Sequence, residues 1–153
     1  MALAPFEAMT LEQAKTSAET ALSEFVELEI LFTENFLPTE KSMKSIEEAT
    51  SLATQGDAAF IETDYIQASK YYAEAGAIVR GLISTTEREI AEITTELRKS
   101  IDNLNESQAR ELSASLDARI QENQTTLALK KRIASLPVIV SKMRKARNFE
   151  LED

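Results

Sequence analysis

Almost nothing in this chain is able to stop a helix. Three prolines and three glycines are spread over 153 residues, while Ala, Glu, Leu, Lys, Gln and Arg, the strong helix formers, abound. A turn-rich β-sandwich needs far more punctuation than this, so long helices packed on one another are the natural product. The length suits one domain, and a compact domain of that size buries roughly 68–70% of its unfolded surface, enough for a core without staples.

The helices can be placed from caps and periodicity. "TLEQ" at Thr10 fits a capping box, with Gln13 reaching back. Behind it Leu11, Ala14, Ala18, Ala21, Phe25, Leu28 and Phe32 recur in alternating steps of three and four, a helix-packing seam. Val26, Ile30 and Leu31 widen the apolar surface, which predicts cover on two sides. Pro38 ends this helix and sets up a start near Thr39. The next helical period, from Met43 to Phe60, carries Gly56 on its apolar stripe. An internal glycine costs about 1 kcal/mol relative to alanine, so on a buried face it marks close packing, with a helix stop as the alternative reading. Asp64 with Gln67 opens a third helix running to Ile83, and the two or three residues around Thr63 force its neighbour to lie antiparallel.

Beyond this point the punctuation thins. Ser84 with Glu87 offers a fresh cap, followed by a stripe of Ile90, Ile93, Leu97, Ile101 and Leu104. "DNLNESQ" at 102–108 is the best break, with Asn105 and Gln108 as a cap pair, and Leu112, Leu116, Ile120, Leu127 and Ile133 then run to Pro137. The rival is one continuous helix over 86–136, which contains neither glycine nor proline. "VIVSKMRKARNF" after Pro137 reads as a short apolar turn entering a basic segment, and "ELED" as a fraying acidic tail. The expected fold is all-α: an antiparallel bundle of five or six helices with a central hairpin and a long C-terminal helical arm. It is read as one domain, with a tail at 1–9, a bundle over 10–136 and a basic segment and acidic tail over 137–153.

Residues 49–76 resemble a tetratricopeptide repeat, a helix-turn-helix unit of about 34 residues. Leu52 takes the first large apolar position and Gly56 the small residue where the helices touch; "DY" at Asp64 and Tyr65 stands at the turn. Ala68 and Ala75 take the small positions of the second helix, with Tyr72 at the aromatic position between them and Phe60 beside the turn. Gln55 and Thr63 depart from the repeat's apolar residue and turn glycine, no proline closes the unit, and no second copy follows. One repeat does not bury its own face, so the first helix, through Phe25, Leu28 and Phe32, is expected to cover it. "DYIQASKYYAEA" is also somewhat similar to the hairpin of a MIT domain, a three-helix module that binds helical tails of membrane-remodelling proteins.

Absent residue types exclude much chemistry. The chain has no cysteine and no histidine, which removes disulfides, thiolate metal sites, cysteine nucleophiles and Ser-His-Asp catalysis. Tyr65, Tyr71 and Tyr72 at helical spacing read as core or boundary residues. Glu89, Glu92 and Glu96 share one helical side, as do solvated faces generally, while Glu27 with Glu29 and Glu47 with Glu48 add further carboxylates. No catalytic residue, metal ligand or cofactor site is assigned.

Charge is the remaining signal. Residues 1–64 hold 3 basic and 13 acidic groups, net −10, whereas 130–149 hold 7 basic and none acidic, net +7. Lys130, Lys131, Arg132, Lys142, Arg144, Lys145 and Arg147 are therefore the candidate partner-binding residues. The expected function is a non-enzymatic protein–protein interaction module, an adaptor, chaperone-like factor or assembly subunit, meeting a protein partner or its own copies. The alternative is a nucleic-acid-associated accessory subunit using the basic stretch, disfavoured by the net charge of −9; an enzyme with a carboxylate-bound metal is a third reading. With no signal peptide and no apolar run of 18 residues, a cytoplasmic protein without a transmembrane segment is expected.

Overall fold

A computed structural model describes residues 10–152, with side chains to Arg147. The tail at 1–9 and the side chains of the "ELED" end lie outside the described residues. Five helices and no strand occur among the described residues, packed as an all-α bundle. They are α1 (Leu11–Asn35), α2 (Glu40–Ile61), α3 (Tyr65–Asp102), α4 (Glu106–Asp117) and α5 (Gln124–Glu152). Their contacts gather in two compact units, one up to Thr85 and one from Thr86, with α3 contributing to both.

In the first unit, α1 opens on the Thr10 capping box: the Gln13 amide donates to Thr10 Oγ1 at 3.1 Å and the Thr10 amide to Gln13 Oε1 at 2.9 Å. Thr39 opens α2 likewise, with Ser42 as the returning partner. At α3 the Asp64 carboxylate accepts from the Gln67 amide. Three residues separate α2 from α3, and these two helices meet along small side chains: Ala49, Ala53, Gly56 and Ala59 are buried on α2, Ala68 and Ala75 on α3. Between them stands the large Tyr72, 1% exposed. A Cβ on Gly56 would lie 2.6 Å from Tyr72 Cε1. Helix α1 runs parallel to α3, since Ser17 meets Ser69 and, further along both helices, Leu28 and Phe25 meet Gly76. Phe32 packs on Phe36, ring centroids 5.3 Å apart, and closes the end of the core.

The second unit is formed by α3 from Thr86 with α4 and α5, around Leu97, Ile101, Ala109, Leu116, Leu129, Ile133 and Leu136. Asn105 caps α4, its Oδ1 accepting from the Gln108 amide at 3.2 Å. Asn123 caps α5: its Oδ1 accepts from the Thr126 amide and its own amide donates to Thr126 Oγ1.

Several expectations are corrected here, among them the cover on two sides expected over Val26, Ile30 and Leu31, which stay 43%, 50% and 46% exposed. No helix begins at Ser84; α3 passes straight through it, because the heptad-like stripe from Val79 through Ile83 keeps that turn packed while Ser84 remains exposed. The break expected at 102–108 forms, as a turn at 103–105, and the rival continuous helix over 86–136 does not; the single run expected from that break to Pro137 is itself interrupted at 118–123, by a turn with no glycine or proline to announce it. Pro137 does not end α5 and the apolar residues after it are helical. Proline removes one hydrogen bond, to the Ile133 carbonyl, and its exposed ring is accommodated at the helix surface while Ile133 and Leu136 stay buried beneath it. Helix α5 likewise extends to Glu152, into the segment expected to fray.

Two substitutions test the hairpin contact by urea unfolding. Gly56→Ala drives a methyl into a buried ring and is expected to cost about 1–3 kcal/mol. Gly81→Ala meets nothing within 4 Å and is expected to gain about 1 kcal/mol from helix propensity. Thr63 sits at φ 62° and is exposed; Thr63→Gly is expected to raise stability by about 0.5–1 kcal/mol, because a β-branched residue is strained in that region.

Candidate functional site

The seven basic residues do not act as one group. Lys130 Nζ lies 3.0 Å from both Asp117 Oδ1 and Glu122 Oε1, clamping the end of α4 to the start of α5. Its ammonium is held above its ordinary pKa, first by the Glu122 hydrogen bond and then by that to Asp117. Arg132 Nη2 lies 3.0 Å from Asp102 Oδ1 and ties α5 to the end of α3. These two cations serve the second unit internally.

Lys131, Lys142, Arg144, Lys145 and Arg147 are exposed and make no ion pair among the described residues. The last four lie where α5 has passed its own core: Leu136 is its final buried residue, Val140 is half-buried, and every residue over 141–147 is exposed. From Leu136 to Arg147 is about 16 Å of helix. Apolar side chains accompany the cations, with Val138 and Met143 each 55% exposed and Ile139 42%. Reading the segment as a turn after Pro137 misses this amphipathic character. The available signal was the spacing Leu129, Ile133, Leu136, Val140, Met143, which continues through the proline in steps of four, three, four and three.

The hairpin residues are placed differently. Gly56, Ala68, Tyr72 and Ala75 are buried, and Leu52 and Phe60 are half-buried. Tyr65 is half-buried against Phe60, ring centroids 4.8 Å apart and edge to face, and Tyr71 is also half-buried. The Tyr72 hydroxyl donates to Asp57 Oδ1. Burial, then this hydrogen bond and the aspartate charge, push the phenol well above its ordinary pKa. It stays protonated through the neutral range, as a packing group does.

Among the carboxylates, Glu89 lies 3.6 Å from Arg119 and Glu96 3.6 Å from Lys99. No group of three metal-ligating side chains is brought together among the described residues. A cleft of about 260 Å³ opens between the end of α1 and the start of α2, walled by Phe32, Phe36, Pro38, Met43 and Ile46. Its hydroxyls are committed to backbone: Thr33 donates to the Glu29 carbonyl and Ser42 to the Thr39 carbonyl. No helix among the described residues is long and apolar enough to cross a membrane.

No family model, no curated protein and no solved structure matches this chain.

The division of the cations predicts a division of effects. Lys130→Ala and Arg132→Ala are expected to lower the thermal midpoint, because each strands a carboxylate partner. Lys142→Ala and Lys145→Ala are expected to leave it unchanged within about 0.5 kcal/mol, as surface substitutions do. Calorimetry of the four variants checks this.

Proposed function

We propose that the protein is a non-enzymatic protein–protein interaction module, an adaptor, chaperone-like factor or assembly subunit, that meets an acidic protein surface with the end of α5. One observation carries this reading: Lys142, Arg144, Lys145 and Arg147 crowd an exposed helix end that also presents Val138, Ile139 and Met143. Cations alone would suit any polyanion. Interleaved apolar side chains suit a partner helix that buries them, in the manner of amphipathic helices laid against complementary faces. A chain of net charge −9 repels nucleic acid and anionic lipid within a Debye length of about 8 Å, whereas a protein partner needs only a local acidic patch.

The likeness of residues 49–76 to a tetratricopeptide-repeat hairpin belongs to the same reading. The approach of Gly56 to Tyr72 supports it, since the repeat places a small residue where its two helices touch. In this role α5 is the docking element.

The test compares the full chain with its quadruple variant Lys142→Glu, Arg144→Glu, Lys145→Glu, Arg147→Glu, after circular dichroism establishes equal helicity. Cross-linking and affinity capture are expected to recover acidic protein surfaces with the unmodified chain and at least tenfold less with the variant, a loss of about 1.4 kcal/mol or more in binding. Equal recovery rules the reading out. Retention of DNA or RNA by the unmodified chain at low salt, abolished in the variant, establishes the accessory-subunit alternative instead.

A further inference from the structure

Two helices carry a second, uncovered seam besides the one that faces their own core. On α1 it is Glu19, Ser23, Val26, Ile30 and Thr33, in steps of four, three, four and three, and every member is exposed. On α5 it is Lys131, Ser135, Val138, Lys142 and Lys145, in the same steps and again exposed throughout. Steps of this kind place five side chains along one line of a helix, the geometry that knobs-into-holes packing uses.

The two seams share a central valine and carry opposite charge, Glu19 on α1 against Lys131, Lys142 and Lys145 on α5. Each has a valine at its centre, so Val26 meets Val138 whichever way the helices run. Glu19 then meets Lys131 in the parallel arrangement and Lys145 in the antiparallel one. Glu27 and Glu34, both exposed, flank the α1 seam, while residues 131–147 of α5 contain no Asp or Glu. Neither seam is covered by another of the described residues.

We propose that the occupant of the α5 seam is the α1 seam of a second copy of this chain. This rests on the reading of α5 as a docking element and names its partner. An anionic membrane fits less well, because the α5 seam holds one apolar residue among three lysines and a serine, too little to enter the acyl boundary, and the chain is net −9. The contact joins unlike surfaces, so two copies pairing reciprocally close into a dimer, whereas one-way pairing extends into a chain of copies. Salt screens it: the Debye length falls from about 10 Å at 0.1 M to about 3 Å at 1 M.

Light scattering and sedimentation of the full chain over a concentration series read the result. The unmodified protein is expected to associate at low salt and to dissociate at about 1 M salt, where screening removes the attraction. Lys131→Glu/Lys142→Glu/Lys145→Glu and Glu19→Lys/Glu27→Lys/Glu34→Lys are each expected to weaken association at least tenfold, and their equimolar mixture to restore it, since reversed seams match each other. Circular dichroism and thermal melting establish that each variant is folded; a variant that is not is replaced by its single central substitution, Val138→Glu or Val26→Lys, which sets like charge against the facing seam, with the same loss expected. An unmodified protein that stays monomeric at every concentration overturns the proposal, as does a mixture that fails to recover. A monomer that still captures an acidic partner through α5 overturns only the self-association, and leaves the docking role of α5 standing.

Discussion

The ring of Tyr72 lies where a side chain at residue 56 would have to go, 2.6 Å from the Cβ that glycine lacks. That one approach sets the spacing of α2 and α3 and determines much of the first unit. Small residues accompany this approach: Ala49, Ala53, Ala68 and Ala75 on the two helices are all buried. The Asp57 carboxylate holds the ring in place from the rim. Because the hairpin face is then nearly flat, the bulk missing from it must come from a third helix. Helix α1 supplies Phe25 and Phe32, and reaches α3 at another small residue, Gly76.

Helix beginnings were legible because each rests on one local exchange of hydrogen bonds. Thr10, Thr39, Asp64 and Asn105 all accept from the amide three residues on. The start at Asn123 went unread because its partner is a threonine, whose hydroxyl does the work of the Glu or Gln usually sought at that position. Ser84 shows the reverse error. A cap sequence inside a helix packed on both sides of it stays helical, because burial of Val79, Ile83 and Leu97 outweighs a cap of about 1 kcal/mol. Pro137 errs in the same direction: a proline cost of about 3 kcal/mol is tolerated where Ile133 and Leu136, both buried, anchor the turn before it.

Which basic residues are available for a partner was not legible in the same way. The sequence shows a run of seven cations, but the anions that occupy two of them are Asp102, Asp117 and Glu122, the first 30 residues from Arg132 along the chain. Only the turns at 103–105 and 118–123 bring these together. Charge counting therefore found the stretch and overstated its size.

Of the five that remain, Lys142, Arg144, Lys145 and Arg147 lie beyond the last buried residue of α5. A helix whose only task is to close a core gains no packing by continuing past it, and the conformational freedom each added residue loses, about 1–2 kcal/mol, is then met only by its own backbone hydrogen bond. Helix α5 does continue, with its core seam prolonged by Val140 and Met143 and its cations concentrated there. Like charges on adjacent turns also oppose the helix that carries them. Such a segment is most stable when something acidic and partly apolar lies against it, and the exposed line of Glu19, Val26 and Ile30 on α1 has that composition.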